Sequence, residues 1–250
     1  MIPLKDTTGA SFIELQSVDS TNNYATSLIH AGMARHGISV FAYEQNKGKG
    51  QRNKQWITQK SANIILSVIM EPNGLAISQG FLFSMAMALG VYQFFKNYAG
   101  DNCAIKWPND IMWGDRKAGG ILIENNIRGH LWKFAVVGVG LNINQTDFGS
   151  LNNRAVSLKQ ITGQDYDLLF MAKNLGDALL TSLNDLVKDE AEVVTQYHQH
   201  LYKKDEAVTF KKGSRLFSAT VIGVTNEGQL KVKNEQEELF AVGGVEWVIH

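Results

Sequence analysis

Cysteine is almost missing from this chain. Of 250 residues only Cys103 carries a thiol, so no intramolecular disulfide can form and the fold must hold by packing. Excess charge of one sign is missing too, with 24 Lys and Arg against 24 Asp and Glu. Neutralising a phosphate backbone takes clustered surplus cations, so composition argues against a nucleic-acid partner and any basic site must be local. No apolar run is long enough for a membrane. The most hydrophobic stretch, 81–95, falls short of the roughly 20 residues a bilayer crossing needs, and Ser84 and Gln93 interrupt it. It reads as a buried helix. Residues 1–11 lack the basic-then-apolar pattern of a secretory leader, and no helix-turn-helix segment precedes Phe12. The expectation is a soluble cytoplasmic protein without a repressor role. HExxH, paired CxxC and GxSxG are absent as well. His198 and His200 lie two apart on a presumed helix and share no face for a metal, so metal ligands stay unassigned.

What is present is an ordinary globular composition, 44% hydrophobic, enough for one substantial core and a small satellite. Strand-like runs lie at 12–15, 37–43, 62–70, 103–106, 111–113, 117–125 and 131–143. Helical patterning covers the segment from Ser20 to about Ile29, then 76–99 and 165–200, the last with Leu168, Leu175, Leu179, Leu183 and Leu186 at helical spacing. After residue 204 the texture changes to short strands punctuated by glycine, as in a small β barrel. The expected units are therefore 1–204 and 205–250.

Five segments can carry chemistry. Residues 44–56 break all periodicity and place Lys47, Lys49, Arg52 and Lys54 around Gly48 and Gly50. Glycine lets backbone N–H groups turn toward an anion that the cations neutralise; a solvated charged loop is the bland alternative. Lys106-Trp107-Pro108-Asn109-Asp110 sets a cation and a carboxylate four apart across a rigid turn, or else simply buries a tryptophan. Lys117 precedes Gly119-Gly120, where bare backbone admits a close neighbour; a surface lysine on a hairpin is the commoner case. Gly138 and Gly140 lie before Asn142 in a strand, marking a close approach or a bulge. Ser20, Thr21 and Asn22 read either as helix caps or as polar groups for a ligand.

Together these segments resemble the biotin–protein ligase family, in its form lacking an N-terminal DNA-binding domain. The family's KWPND stands intact as Lys106–Asp110. Its K-x-[A/G/C]-G-I-L is Lys117-Ala118-Gly119-Gly120-Ile121-Leu122, its Ser-Thr-Asn is 20–22, and its G-x-G-x-N is Gly138–Asn142. The loop pattern GRGRRGRxW appears as residues 48–56, with Lys49 and Gln51 in place of arginines and Asn53 in place of a glycine. Lysine lacks the bidentate fork of arginine.

The resemblance implies an α+β fold: a mixed, largely antiparallel sheet with flanking helices, of class II synthetase type, plus a small SH3-like β barrel. It implies ATP-dependent activation of biotin to biotinyl-5'-AMP, then transfer to a lysine of a biotin carboxyl carrier protein, with Mg²⁺ accompanying ATP. Lys117, Arg52 and Asp110 are the implied catalytic groups; Asp110 either orients Lys106 or acts as base for the incoming amine. Biotin contacts are expected from Ser20, Thr21, Asn22, Gln45, Gly48, Lys49, Gly50, Gln51, Lys117, Gly119, Gly120, Gly138 and Gly140. Those to ATP are expected from Lys49, Arg52, Trp56, Lys106, Asn109, Lys117 and Asn142. Residues 46–56 are expected to order over the adenylate. A homodimer through an edge strand at 131–143 is plausible for the family. The rivals are a lipoate or octanoate ligase or transferase, a nucleic-acid-binding module, and a non-catalytic biotin sensor.

Overall fold

Apolar runs of four to thirteen residues, separated by glycine-rich turns, build one large sheet before any long-range helix pairing is needed. The computed structural model describes residues 4–5, 11–72 and 74–248. Residues 1–3 and 6–10, which bear most of the leader expectation, and the Asn53 side chain lie outside the described residues. Strands β1 (Leu4–Lys5) and β2 (Ser11–Leu15) precede helix α1 (Thr21–His30). Next come β3 (Ser39–Ala42), β4 (Asn63–Met70) and helix α2 (Gly80–Ala99). Four strands follow: β5 (Cys103–Lys106), β6 (Asp110–Trp113), β7 (Arg116–Arg128) and β8 (Leu131–Asn142). Their order in the sheet is β1-β2-β3-β4-β8-β7-β6-β5. Only β2 and β3 pair in parallel; the other described pairs are antiparallel. This is the mixed, largely antiparallel sheet that the family resemblance implies.

All eight residues of β4 are buried because both faces of the sheet are covered there. On one side lie α2 and the later helix α4, whose Leu175, Leu179 and Leu183 pack with Phe83, Met87 and Val91 in the main core. On the other, Ala25 and Ile29 of α1 meet Val40, Ala42, Ile69 and Val136. Truncating one such leucine to alanine costs about 2–5 kcal/mol.

Three helices follow the sheet: α3 (Leu158–Thr162), α4 (Leu168–Lys188) and α5 (Glu190–Gln199). The expected single helical stretch at 165–200 is broken at Asp189, whose backbone is extended (φ −152°, ψ 90°). Its carboxylate accepts from the Glu192 N–H and so starts the second helix.

The edge expected at 131–143 is corrected. β8 is paired on both sides, with β4 and with β7. Its apolar residues on both faces are those of an interior strand. The outer strands are β1 and β5. Even β5 is partly covered, since Ile105 N–H donates to His200 O at 2.8 Å and Tyr202 N–H donates to Ile105 O at 2.8 Å.

The last strands are β9 (Ala207–Lys212), β10 (Arg215–Val224), β11 (Leu230–Lys233), β12 (Glu237–Phe240) and β13 (Glu246–Val248). They form a separate antiparallel sheet in the order β12-β11-β10-β9-β13. Phe210, Val221, Leu230 and Val232 fill its interior. It is tied to the large sheet by Trp107, whose Nε1 donates to Gly228 O at 3.0 Å.

Candidate active site

The cleft is built on backbone left bare by glycine. Gly138 lies beneath the Asn22 amide, and any side chain there would collide with it. A Cβ at Gly140 would stand 2.7 Å from Trp56 Cζ2, and one at Gly120 would stand 3.2 Å from Lys117 Nζ. Gly138 and Gly140 therefore leave no room for a side chain, while the neighbour at Gly120 is the flexible end of Lys117. The cleft above them encloses about 490 Å³, within the roughly 300–1,000 Å³ usual for small-molecule sites.

One end of the cleft is polar. Ser20 precedes α1 but makes no capping hydrogen bond with its side chain, so the helix-cap reading fails for it. Gln45 Oε1 accepts from Thr21 N–H at 2.8 Å and lies 3.2 Å from Thr21 Oγ1. Ser67 Oγ is 2.6 Å from Asn22 Oδ1 and 2.7 Å from Thr21 Oγ1. Asn22 Nδ2 donates to Glu124 Oε2 at 2.7 Å. Ser20, Thr21, Asn22 and Ser67 are all buried. Buried polar groups are costly unless paired, and Thr21, Asn22 and Ser67 pair with one another and with Gln45 and Glu124.

The other end is cationic. Asp110 stands at the start of β6 and takes two ammonium groups: Lys117 Nζ at 2.6 Å and Lys106 Nζ at 3.5 Å. The Trp107–Pro108 bond in the intervening turn is cis, and Asn109 Nδ2 donates to Ile121 O at 2.6 Å, tying this turn to β7. Lys106 is 15% exposed and Lys117 36%. Burial holds the Lys106 ammonium below its usual range, opposed by the adjacent Asp110 carboxylate and reinforced by the Lys117 charge. Lys106 thus sits under a wall, with Trp247 over its Nζ at 5.7 Å, while Lys117 reaches into the cleft beneath Trp56 at 5.5 Å. The indole N–H groups of both tryptophans are buried without a hydrogen-bond partner among the described residues.

The basic segment 44–56 closes the cleft as a backbone-held loop. Asn46 N–H donates to Val18 O and Lys47 N–H to Asp19 O; Gly50 N–H donates to Lys54 O at 2.7 Å and Trp56 N–H to Gly48 O at 3.0 Å. Gln51–Asn53 is one 3-10 turn with Arg52 in the left-handed region, φ 56°. A Cβ at Gly243, in the turn before β13, would stand 2.6 Å from Arg52 Cζ, so the guanidinium lies close against that bare backbone. Lys49 pairs with Glu124 at 3.2 Å.

Most residues singled out in the sequence meet in this cleft, including Lys49, Gly50, Gln51, Lys106 and Asn109. Gly119, Gly48 and Asn142 do not line this cleft. Strand alternation turns Gly119 to the opposite face of β7, against Leu141. Gly48 faces the carbonyl of Trp56 and the Gln45 amide within the loop itself. Asn142 Nδ2 is committed to the carbonyls of Lys117 and Val156, so it sets the lysine's backbone rather than facing the cavity. Three lining or supporting groups were not anticipated: Ser67, Glu124 and Arg154. Ser67 had a signal, being one of two polar residues, with Asn63, in an otherwise apolar strand. Glu124 follows Gly120 and Leu122 at strand period. Arg154, in an irregular segment, had none. Among the described residues no group of three His, Cys, Asp or Glu could hold a metal ion.

An α+β protein with a cation-lined, glycine-floored cleft between two sheets is the class that fold and site define. Residues 14–142 match the model of the biotin/lipoate A/B protein ligase family. The chain belongs to that family, since the match covers just over half its length. The bifunctional ligase/repressor BirA of Bacillus spizizenii is 31% identical over 162 residues, 64% of this chain and 49% of that protein. A biotin–[acetyl-CoA-carboxylase] ligase of Paracoccus denitrificans is 32% identical over 159 residues, 61% of this chain and 65% of that protein. The chain spans about half the length of the first of these relatives. Among solved structures, the biotin protein ligase from Aquifex aeolicus in complex with biotin and ATP superposes with a TM-score of 0.79. It covers 96% of this chain and 99% of its own at 21% identity, which bears on fold alone.

Proposed function

We propose that this protein is an ATP-dependent biotin–protein ligase with 1–204 as the catalytic unit and 205–250 as an accessory one. The observation that carries the reading is Lys117, salt-bridged to Asp110 and reaching over bare Gly120 into a cleft whose far end is a buried polar cluster. In the first step a biotin carboxylate oxygen attacks the α-phosphorus of ATP. The bond from that phosphorus to the bridging oxygen breaks, and pyrophosphate leaves with its electron pair. Two anions about 4 Å apart repel by about 4 kcal/mol at an effective dielectric near 20, so fixed cations are required. Lys117 supplies one at the reacting atoms and stabilises charge that builds on the phosphoryl oxygens. In the second step a carrier lysine amine attacks the acyl carbon, AMP leaves, and the amine loses a proton. Asp110 uses its short contact to aim Lys117. Its longer contact, to Lys106, is the one an incoming amine can displace.

Mg²⁺ would enter as part of MgATP, held by the phosphates, because such ions keep several waters and need only one or two carboxylates. The ureido ring of biotin offers both N–H donors and a carbonyl acceptor, which suits Ser20, Thr21, Asn22, Gln45 and Ser67. The dithiolane of lipoate offers neither, so the polar end favours biotin over the lipoate reading. Among the described residues no helix is long and apolar enough to cross a membrane, and we place the reaction in the cytoplasm. Incubation with biotin, MgATP and a biotin-carrier domain, read by mass, should show one added biotinyl group. A carrier that is lipoylated but never biotinylated would overturn the substrate assignment; an adenylate-free protein that binds biotin alone would make it a sensor.

A further inference from the structure

Six cations line the cleft: Lys49, Arg52, Lys54, Lys106, Lys117 and Arg154. Three share two carboxylates: Lys49 pairs with Glu124, while Lys106 and Lys117 both pair with Asp110. Arg52 and Lys54 ride on the loop. Arg154 alone combines a place on the fixed wall with no carboxylate partner among the described residues. Its backbone is locked at both groups: Arg154 N–H donates to Leu151 O at 2.8 Å, and Arg154 O accepts from Lys117 N–H at 2.8 Å. The next residues, Ala155 and Val156, are buried, and Val156 N–H donates to Lys117 O at 2.9 Å. The backbone of an exposed arginine is thereby fastened beside that of the lysine assigned to the reacting phosphate, and both residues line the cleft.

We propose that Arg154 is a phosphate-binding residue that takes the outer phosphates of MgATP and holds the pyrophosphate as it leaves; this rests on the nucleotide reading above. It is more exposed than Lys117 and lines the same cleft, as a group for the outer part of a chain of phosphates must. A guanidinium meets a phosphate with two parallel N–H bonds, which lysine cannot do. The loop keeps one such fork, Arg52, while Lys49, Gln51 and Lys54 stand where the family pattern has arginines. Arg154 restores one from the opposite wall.

The test is calorimetric binding of MgATP, and separately of inorganic pyrophosphate, to the full chain and to Arg154→Ala and Arg154→Lys. Losing a charge-assisted contact should raise both dissociation constants about tenfold in the alanine variant, with a smaller rise in the lysine variant. Biotin affinity and thermal midpoint should not move, because the side chain is exposed. Unchanged nucleotide and pyrophosphate affinity in Arg154→Ala would overturn the inference, and so would no binding of either by the wild type. If the wild type binds MgATP but shows no biotin-dependent exchange of pyrophosphate into ATP, the ligase reading fails, and Arg154 is still judged by the binding data.

Discussion

The two walls of the cleft hold their charges by different means. On the sheet wall, Lys106 and Lys117 share one carboxylate, their turn is tied to β7 by Asn109, and Trp107 is bonded to the second sheet. Lys106, Trp107, Asn109, Asp110 and Lys117 each have a partner there, so identity matters at these positions and the motif stands intact. On the loop wall, shape comes from backbone bonds such as Gly50 N–H to Lys54 O and Trp56 N–H to Gly48 O. Side chains at 49 and 51 can then change while the loop keeps its path. The motif is strict where side chains build the site and lax where the backbone does.

Lys117→Ala should show the largest effect on that contrast. Removing a donor at a developing oxyanion costs about 10²–10³ in rate, and biotin-dependent pyrophosphate exchange should fall by that much. The fold should persist, because Lys106 keeps its carboxylate and Lys117 is partly exposed. Exchange within a few-fold of wild type would erase the privileged status of the sheet wall. Gly138→Ala comes next. Its methyl would meet the Asn22 amide, and such overpacking costs about 1–3 kcal/mol, read as weaker biotin binding. Gly50→Ala is the matched control on the loop, where the nearest atom, Lys54 O, would be 3.2 Å away and the strand is not fixed. Equal losses at 138 and 50 would mean the loop is as rigid as the sheet. A third, smaller effect concerns residues 46–56: biotin plus MgATP should slow protease cleavage there, and unchanged digestion would deny the loop its closing role.

The sequence shows this contrast only in part. Continuous apolar runs in β4 and β8 and helical patterning in α2 and α4 were readable because burial dictates them directly. The place of β8 inside the sheet was not, since partner choice depends on strands far apart in the chain. Local glycine pairs pointed to bare backbone but not to its face; only register shows that Gly120 fronts the cleft and Gly119 does not. Arg154 and the Arg52–Gly243 contact were hidden for the same reason. Each arises where distant segments converge, and neither leaves a spacing to read.

The smallest prediction tests whether the sheet wall owes its rigidity to the clip at the β6–β7 turn. Asp115 accepts from Tyr202 OH at 2.7 Å and pairs with Lys203 at 3.3 Å. The tyrosine hydrogen bond, and then Lys203, hold the Asp115 carboxyl below its ordinary value of 3.8. The folded group therefore releases its proton more readily than the unfolded one. Its contribution to stability is present above about pH 4 and is lost as pH falls through the lowered folded value. Asp115 is 55% exposed, and solvent screens such pairs to below about 1 kcal/mol. In urea unfolding, wild type should be slightly more stable than Asp115→Asn at pH 6, and the gap should close toward pH 3. Lys117-dependent exchange at pH 7 should drop only slightly in the variant, because Trp107 and Asn109 still brace the β5–β6 turn that sets Asp110. A gap independent of pH would show that the carboxylate charge contributes nothing, leaving the wall to packing and to Trp107.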